Sequence, residues 1–403
     1  MTTQDVDLMD PKVFLGGIPY EHFRMLRRHE GLPLGHDTDG SPFWYVVRHR
    51  DVVTVSRDPK TFSSSPSTMT SVRRDDSGYP IITFLDAPEH TRLRKLVFKA
   101  FAPARMAALR EPIGEIVDDL IAAAVAKREF DLAEDIALRL PFEVLARLLG
   151  VPDGERRMVI DWATQTVNLG DPEYAQQTSD APDVFRLLLD YFEDLAKRRM
   201  KDPTDDLFSI LANARLSEAN AKLGPAGLSL EEIKTFATTL ITAGSETTYC
   251  SVTGAVLALL ENPDQLGLLL TERSLLPGAA DEILRWVTPV THFARNVMAD
   301  TEISGHPVKA GERVVMWYTS ANRDEEVFVD PDEFDVTRSP NPHLSFGGGG
   351  PHVCIGNALA VMELRVFVEK VLDLLPRMRM TAEPVRPETN FMNSFKHMPV
   401  RLI

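Results

Sequence analysis

The chain has 403 residues, 44% hydrophobic and 26% charged, which is the balance of a globular protein with a sizeable core. Its formal net charge of −15 argues against nucleic acid as a partner. Two cysteines, Cys250 and Cys354, are too few for a disulfide framework and fit a reducing compartment. The acidic N-terminus lacks the basic and apolar regions of a signal peptide, and no later stretch is apolar enough to span a bilayer. We therefore expect a soluble, cytoplasmic protein with no membrane anchor.

Short elements fill the first part of the chain. The aromatic and β-branched run 43–47 predicts a strand, and residues 52–56 predict a short helix. Residues 61–80 are rich in Ser and Thr and predict a loop, whose charged run 73–76 is typical of a solvated turn.

Helical patterning begins at Asp86, which stands three residues before Glu89 in the spacing of a capping box. The apolar periodicity then predicts further helices over 104–126, 132–149, 154–168 and 183–200. Two weakly patterned segments with Gly and Pro, 169–182 and 214–228, predict mobile connections.

A much longer helix is predicted after Ser229, which forms a capping-box spacing with Glu232. It continues to Glu261, a length of about 45 Å at 1.5 Å per residue, so it must run through the body of the protein. Residues 301–318 predict paired strands around two glycines. We predict one domain over residues 1–403, mainly α with a minor β region, an α+β fold.

The most specific stretch is the glycine run before Cys354, in which four consecutive glycines permit a tight backbone path and a close approach to something flat or bulky. Apolar residues recur with helical spacing after the cysteine, which predicts an amphipathic helix that starts there and ends near Pro376. A cysteine at a helix N-terminus is favoured as thiolate, which can ligate a metal or act as a nucleophile.

Some chemistries are excluded for this loop. A phosphate-binding loop needs Lys and Ser or Thr after the glycines, where this chain has Pro351 and His352. A structural zinc site needs more Cys or His ligands nearby. A cysteine hydrolase remains open, although it leaves the glycines and the long helix unexplained.

The long helix carries an unusual cluster, in which Ala243 and Gly244 are followed closely by Glu246 and Thr247. A glycine in a helix interior costs about 1 kcal/mol relative to alanine, which favours a close approach of another group at this point. An acid and a hydroxyl beside that point could form a proton relay.

Several charged residues are less specific when each is taken alone. Glu282 and Arg285 lie at i and i+3 on one helix face, and such pairs are mostly exposed. Four cationic residues could converge on a bound anion or simply be solvated, and each taken alone favours solvation: His90, Arg94, Arg295 and His352.

Taken in order, these motifs resemble the cytochrome P450 superfamily, the haem-thiolate monooxygenases. The resemblance covers about residues 10–400 and rests on five stretches: 86–94, 243–248, Glu282 with Arg285, 321–324 and 346–356.

The resemblance implies a P450 fold, with the long helix lying over a haem b cofactor and O2 as co-substrate. It implies that Cys354 is the iron ligand and that Glu246 and Thr247 are the catalytic acid–alcohol pair that delivers protons during oxygen activation. Glu282 and Arg285 become a structural ion pair. The remaining cofactor-binding positions it implies are His90, Arg94, Ala243, Gly244, Arg295, Phe346, His352 and Gly356.

The chain departs from the commonest family pattern at Phe346, which stands eight residues before Cys354 because the loop has one extra glycine. That form resembles bacterial members that act on steroids, terpenoids or branched lipids, and it leaves the packing of Phe346 open. The resemblance further implies a hydrophobic small-molecule substrate in contact with Ala243, Val290, Thr291, Phe391 and Met392.

Bacterial members of this kind receive electrons from a separate ferredoxin and an NAD(P)H-dependent ferredoxin reductase, and we expect both as partners of a monomeric enzyme. Arg92, Lys95 and Lys99 form a basic strip at helical spacing that could dock an acidic ferredoxin. Two alternatives stay open: a haem-dependent peroxygenase, and a non-enzymatic haem sensor or carrier.

Overall fold

Helices dominate residues 6–70, 78–166, 173 and 183–403, the part of the chain that this computed structural model describes. They are α1 (Tyr20–Arg28), α2 (His49–Arg57), α3 (Glu89–Val97), α4 (Pro103–Ala108), α5 (Arg110–Lys127), α6 (Arg139–Leu148), α7 (Asp153–Thr166), α8 (Val184–Lys201), α9 (Leu207–Asn213), α10 (Leu230–Glu261), α11 (Pro263–Thr271), α12 (Leu276–Val287), α13 (Tyr318–Ala321) and α14 (Asn357–Val371). The charged run 73–76 and nearly all of the predicted connection 169–182 lie outside the described residues.

The strands are short and form three sheets. They are β1 (Leu34–His36), β2 (Pro42–Val46), β3 (Phe62–Ser63), β4 (Glu129–Asp131), β5 (His292–Val297), β6 (Thr301–Ile303), β7 (His306–Val308), β8 (Arg313–Trp317), β9 (Met378–Met380) and β10 (Pro399–Leu402). The largest sheet has the order β1-β2-β8-β5-β3, the second β4-β10-β9, and the third pairs β6 with β7. The predicted α+β class is confirmed.

The contacts divide the chain into two compact units. The first comprises Met1–Asp76, Gly254–Cys354 and Val385–Phe395. The second comprises Ser77–Thr253, Ile355–Pro384 and Lys396–Ile403. The expectation of one domain over the whole chain stays a prediction.

The first unit is built on the five-stranded sheet. Its central strand β8 pairs in parallel with β2 and antiparallel with β5, and every residue of β8 is buried. Because side chains alternate along a strand, Val314 and Met316 enter one hydrophobic cluster, whereas Val315 and Trp317 enter another. Strand β8 is therefore covered on both faces and contributes side chains to a hydrophobic core on each side of the sheet.

The pair Glu282 and Arg285, on α12, lies inside the first unit rather than on its surface. Both side chains are fully buried and meet through two parallel hydrogen bonds of 2.8 Å. The Arg285 guanidinium also donates to three backbone carbonyls, those of Asn322, Pro331 and Glu333. Removing one partner of a buried ion pair lowers the free energy of unfolding by about 3–5 kcal/mol. The pair therefore holds together the segments of this unit that it contacts.

The second unit contains α3 to α9, the first 24 residues of α10, α14 and the three-stranded sheet. Helices α5 and α14 pack against each other. The capping box predicted at the start of α10 is confirmed, since the Ser229 hydroxyl accepts from the Glu232 amide and the Glu232 carboxylate accepts from the Ser229 amide. Helix α10 then runs for 32 residues, as predicted.

Several predicted boundaries are wrong. Helix α3 begins at Glu89 with Pro88 as its N-cap, two residues after the predicted cap Asp86, whose carbonyl accepts from the His90 amide at 2.8 Å. Helix α14 begins at Asn357, three residues after the cysteine. The predicted connection 214–228 contains a 3-10 turn over Glu218–Leu223. The predicted helix 132–149 starts as a π-helical turn over Ala133–Ala137.

Among the described residues, no helix is both long and apolar enough to cross a membrane.

Candidate active site

The backbone of the cysteine loop closes on itself within the first unit. The Cys354 amide donates to the carbonyl of Phe346 at 3.0 Å. The extra glycine therefore does not prevent the two ends of the loop from pairing, and the Phe346 ring lies 5.9 Å from that of His343. The thiol of Cys354 is exposed, whereas Cys250 is fully buried on α10.

Helix α2 lies so close to this loop that side chains larger than glycine would clash with it. Gly347, Gly349 and Gly350 have φ of +97°, +89° and +76°, which L side chains rarely adopt. A Cβ on Gly348 would lie 2.6 Å from the Ser56 hydroxyl, and one on Gly350 would clash with the Ser56 carbonyl. The close approach predicted from the glycine run is thus made, in this unit, by the last turn of α2.

Two of the four predicted cationic residues lie in the first unit. Arg295, on β5, is buried and donates to the Ala294 carbonyl at 2.8 Å. His352 is half-buried, and its Nε2 lies 3.2 Å from the Ser64 hydroxyl. The sequence analysis missed Ser64. The Ser- and Thr-rich composition of its loop does not predict this contact, because Ser64 and His352 lie far apart in the chain.

The other two cationic residues lie on α3 in the second unit, one turn apart. His90 is buried and Arg94 is half-buried. Arg92, between them, is also buried, forms an ion pair with Glu232, and donates to the carbonyls of Pro225 and Gly227. The interpretation of Arg92 as part of an outward-facing basic strip is therefore wrong, because its guanidinium is used to join α3 to the start of α10.

The middle of α10 carries an accessible stripe, although the helix is largely buried. Ala243 is exposed, and Leu240, Gly244 and Thr247 are half-buried, at the spacing of one helix face. A Cβ on Gly244 would lie 3.0 Å from Leu145 of α6. The neighbour that makes glycine favourable at this position is thus Leu145, and the open space lies at Ala243.

The stripe includes the hydroxyl of Thr247, and an acid, Glu246, precedes it directly in the sequence. Burial raises the pKa of the Glu246 carboxyl to about 7. The Thr247 hydroxyl donates to the Ala243 carbonyl one turn earlier, at 2.9 Å, which leaves its oxygen able to accept a hydrogen bond. A carboxyl of this pKa can give and take protons near neutral pH.

The predicted substrate contacts in the first unit separate into accessible and buried residues. Val290 and Phe391 are half-buried. Thr291 and Met392 are buried, and the Thr291 hydroxyl is bonded to the carbonyl of Asn390. The structure therefore does not place the side chains of Thr291 and Met392 where a substrate could touch them. Phe293, which the sequence analysis missed, is half-buried and lies 5.5 Å from the Phe391 ring.

The model of the family Cytochrome P450 matches residues 11–394 of this sequence. The chain belongs to the cytochrome P450 family. It is 36% identical to a steroid C26-monooxygenase of Mycolicibacterium smegmatis, with 98% of this chain and 93% of that protein covered. It is 34% identical to the linalool 8-monooxygenase of Pseudomonas putida, with 98% of each chain covered.

Solved P450 structures share the fold. A Mycobacterium marinum cytochrome P450 in complex with pseudoionone matches with a TM-score of 0.87 at 30% identity, over all of both chains. A Bacillus megaterium cytochrome P450 in complex with testosterone matches with a TM-score of 0.82 at 30% identity, over 95% of this chain and 99% of that one.

The protein is therefore a cytochrome P450 monooxygenase, an oxidoreductase of bacterial type whose relatives act on hydrophobic molecules. Membership of the family implies a haem cofactor and the use of O2. The residues present fit that cofactor, because the exposed Cys354 thiol supplies a sulfur ligand of the kind that P450 iron takes.

We predict that replacing Glu246 by Gln stabilises the protein increasingly as the pH rises. The native pKa of about 7 lies above the usual value of 4.5, so the native state holds its proton more tightly than the unfolded state. Between these pH values stability falls as the pH rises, and the full penalty is present above pH 7. Thermal unfolding of the Glu246→Gln holoenzyme between pH 5.5 and 8.5 should show a gain of about a few degrees that grows with pH.

The matched control is Glu218→Gln, at an exposed glutamate of the same unit. A gain that is independent of pH, or equal in the control, would show that the Glu246 carboxyl is not desolvated.

Proposed function

We propose that this P450 uses haem b to insert one oxygen atom from O2 into a C–H bond of a steroid, terpenoid or branched-lipid molecule, with electrons from a ferredoxin and its reductase. The observation that carries the proposal is the exposed Cys354 thiol at the end of a glycine loop closed by the bond to Phe346. Similarity to steroid C26- and linalool 8-monooxygenases supports the substrate class.

Cys354 would hold the iron as thiolate, since it is the one of the two cysteines whose sulfur can be reached. When bound, the haem supplies an iron centre that activates O2 for C–H oxidation. The short, closed loop fixes the sulfur from both sides, with Phe346 before the glycines and Gly356 as the N-cap of α14. Helix α2 beneath the glycines restricts movement of the loop.

Each unit, taken by itself, offers two basic residues that would suit haem carboxylates. In the first unit these are Arg295 and His352, the latter oriented by the Ser64 hydroxyl. In the second unit they are His90 and Arg94. Guanidinium and imidazole donors favour carboxylates through charge-assisted hydrogen bonds, and their partial burial strengthens the attraction.

Glu246 and Thr247 would deliver protons. The carboxyl is close to half-protonated at neutral pH, so it can donate a proton and be recharged from water without a large free-energy cost. The Thr247 hydroxyl donates to the Ala243 carbonyl at rest. It can rotate to donate to a reacting oxygen, and its own oxygen can accept a hydrogen bond from water. This pair favours a monooxygenase over a peroxide-dependent enzyme or a haem carrier, neither of which needs a proton relay.

The substrate would be an apolar molecule. In the first unit Val290, Phe293 and Phe391 offer an accessible apolar surface, and in the second unit Ala243 does so. Aromatic rings bury a large area at a small cost in conformational entropy, which suits the rigid rings or branched chains of steroids and terpenoids.

The electron donor would bind at the end of α3. Lys95 and Lys99 are exposed there, and between them Phe98 is 55% exposed. An exposed aromatic residue between two cations fits an acidic protein partner, in which charge steers the encounter and the ring is buried on contact. The monomeric state and a cytoplasmic location stay predictions.

The test of the proposed ligand is Cys354→Ala. We expect the reduced, CO-bound wild type to show the long-wavelength Soret band that haem gives only with a thiolate ligand, and the variant to lose it. Cys250→Ala is the control and should keep the band, because Cys250 is buried. A Cys354→Ala protein that retains the band would overturn the assignment.

Replacing Thr247 by Ala should uncouple the enzyme while haem binding and substrate affinity remain nearly intact. Reduced oxygen that is not protonated for cleavage leaves as hydrogen peroxide, so product per NADH should fall by about 100-fold, the low end of the contribution of positioned proton transfer. The measurement is product, NADH and peroxide in the same reaction, with linalool or testosterone as substrate.

The matched control is Thr242→Ala, because Thr242 lies on the same helix and also donates to the carbonyl one turn earlier. Thr247→Ser should restore coupling. A Thr247→Ala enzyme that is as coupled as the control would exclude Thr247 as the proton-delivering hydroxyl.

Reversing the charge at Lys95 and Lys99 together should slow reduction by an acidic ferredoxin about tenfold at low ionic strength, and the difference from wild type should shrink as salt is added. Stopped-flow reduction measures this rate, and Lys222→Glu is the control at an exposed lysine elsewhere. Equal rates for wild type and the double variant at every ionic strength would refute the proposed docking surface.

A further inference from the structure

A fully buried histidine, His292, links three separate segments of the first unit. Its Nε2 lies 3.0 Å from the hydroxyl of Thr70, and its Nδ1 lies 2.7 Å from the hydroxyl of Thr291. The Thr291 hydroxyl lies in turn 2.5 Å from the carbonyl of Asn390. The hydrogen-bond chain thus runs from Thr70, through strand β5, to the turn that carries Phe391.

The direction of each bond in this chain follows from its last member. A carbonyl can only accept, so the single hydroxyl proton of Thr291 is donated to the carbonyls of Asn390 and Phe391, at 2.5 and 3.1 Å. Thr291 then accepts from His292, which places the imidazole proton on Nδ1. Nε2 is left as an acceptor, and the Thr70 hydroxyl donates to it.

The imidazole remains neutral in this position. Burial, together with the nearby positive charge of Arg313 on β8, lowers the pKa of His292 to about 3. A neutral ring with one donor and one acceptor is what the two threonines require. Both ring nitrogens are therefore satisfied without a charge.

The ring also supports the accessible aromatic residues. On one side it lies 4.3 Å from the Trp317 ring, and it meets the Phe391 ring edge-on at 5.7 Å with an interplanar angle of 85°. Phe391 contacts Phe293 at 5.5 Å. Phe391 therefore contacts both His292, which is fully buried, and Phe293, which is half-buried.

We propose that His292 is a positioning residue that fixes the orientation of Phe391, and through it selects which carbon of the substrate is oxidised. The hydrogen-bond chain holds the Asn390–Phe391 backbone to β5, and the perpendicular contact with the imidazole fixes the Phe391 ring. This inference rests on the proposed function in one respect, that Phe391 faces the substrate.

The first test reads the hydrogen-bond chain without any substrate. In the reduced, CO-bound holoenzyme, which is diamagnetic, ¹⁵N-histidine NMR should show one neutral histidine in the Nδ1–H form at every pH from 6 to 8, and that signal should be missing in His292→Asn. A His292 signal of the Nε2–H form, or one that titrates in this range, overturns the chain.

The second test measures ligand affinity and the distribution of oxidation products. His292→Phe keeps a ring but loses both hydrogen bonds, and it should weaken binding of phenylimidazole to the holoenzyme by about three- to tenfold, as expected for lost hydrogen bonds. The distribution of oxidation products from linalool or testosterone should broaden, with KM changed more than kcat. Thr291→Val should act in the same direction, and Thr291→Ser should restore the wild-type distribution.

The matched control is His306→Asn. His306 also stacks on a tryptophan in this unit, at 4.3 Å from Trp44, but lies on β7. Unchanged azole affinity and unchanged products in folded His292→Phe would overturn the positioning role. If His292→Phe does not fold, Thr70→Val removes only the Nε2 partner and gives the same readouts.

The two proposals fail separately. Altered azole affinity in the variants, with no product from either substrate in the wild type, supports the role of His292 and rejects the proposed substrate class. Normal turnover of linalool or testosterone with no effect of His292→Phe supports the substrate class and rejects the positioning role.

Discussion

The buried guanidinium of Arg285 is the constraint on which the cysteine loop depends. All five of its N–H donors are used: two on Glu282 and three on the carbonyls of Asn322, Pro331 and Glu333. The Glu282 carboxylate also accepts from the Asp335 amide and from the Asn341 side chain. The chain from 322 to 341 is thereby fixed to α12, and Phe346 follows only five residues later. In the proposed function this loop holds the iron ligand, and such a ligand needs a rigid base, because loose ligands are costly to orient.

Within the second unit, the features of α10 that lower stability are the same features that would allow proton transfer. An accessible alanine in mid-helix gives up packing, a glycine there costs about 1 kcal/mol relative to alanine, and a desolvated carboxyl without a compensating charge is unfavourable. Natural proteins retain such features mainly where function requires them. The same burial that destabilises the Glu246 carboxylate brings its pKa close to neutrality, which is what a proton donor in a monooxygenase needs.

The sequence by itself determined the elements with a strong local signal. The long helix α10, its capping box at Ser229 and Glu232, strand β2 and the α+β class could all be predicted, because periodicity and capping are properties of neighbouring residues. The roles proposed for Cys354, Glu246 and Thr247 rest on their order along the chain and on its resemblance to P450 enzymes. The family match over residues 11–394 confirms that resemblance.

Only the tertiary structure decided what each of these residues touches. Arg92 has the spacing of a surface residue but is buried against Glu232. Thr291 is adjacent to Val290 in the sequence, but its hydroxyl donates a hydrogen bond to the Asn390 carbonyl. The glycines that could have faced any flat group lie against Ser56, and Gly244 lies against Leu145. These partners are separated by many residues, so no local pattern encodes them; burial and hydrogen-bond satisfaction between distant segments select them when the chain packs.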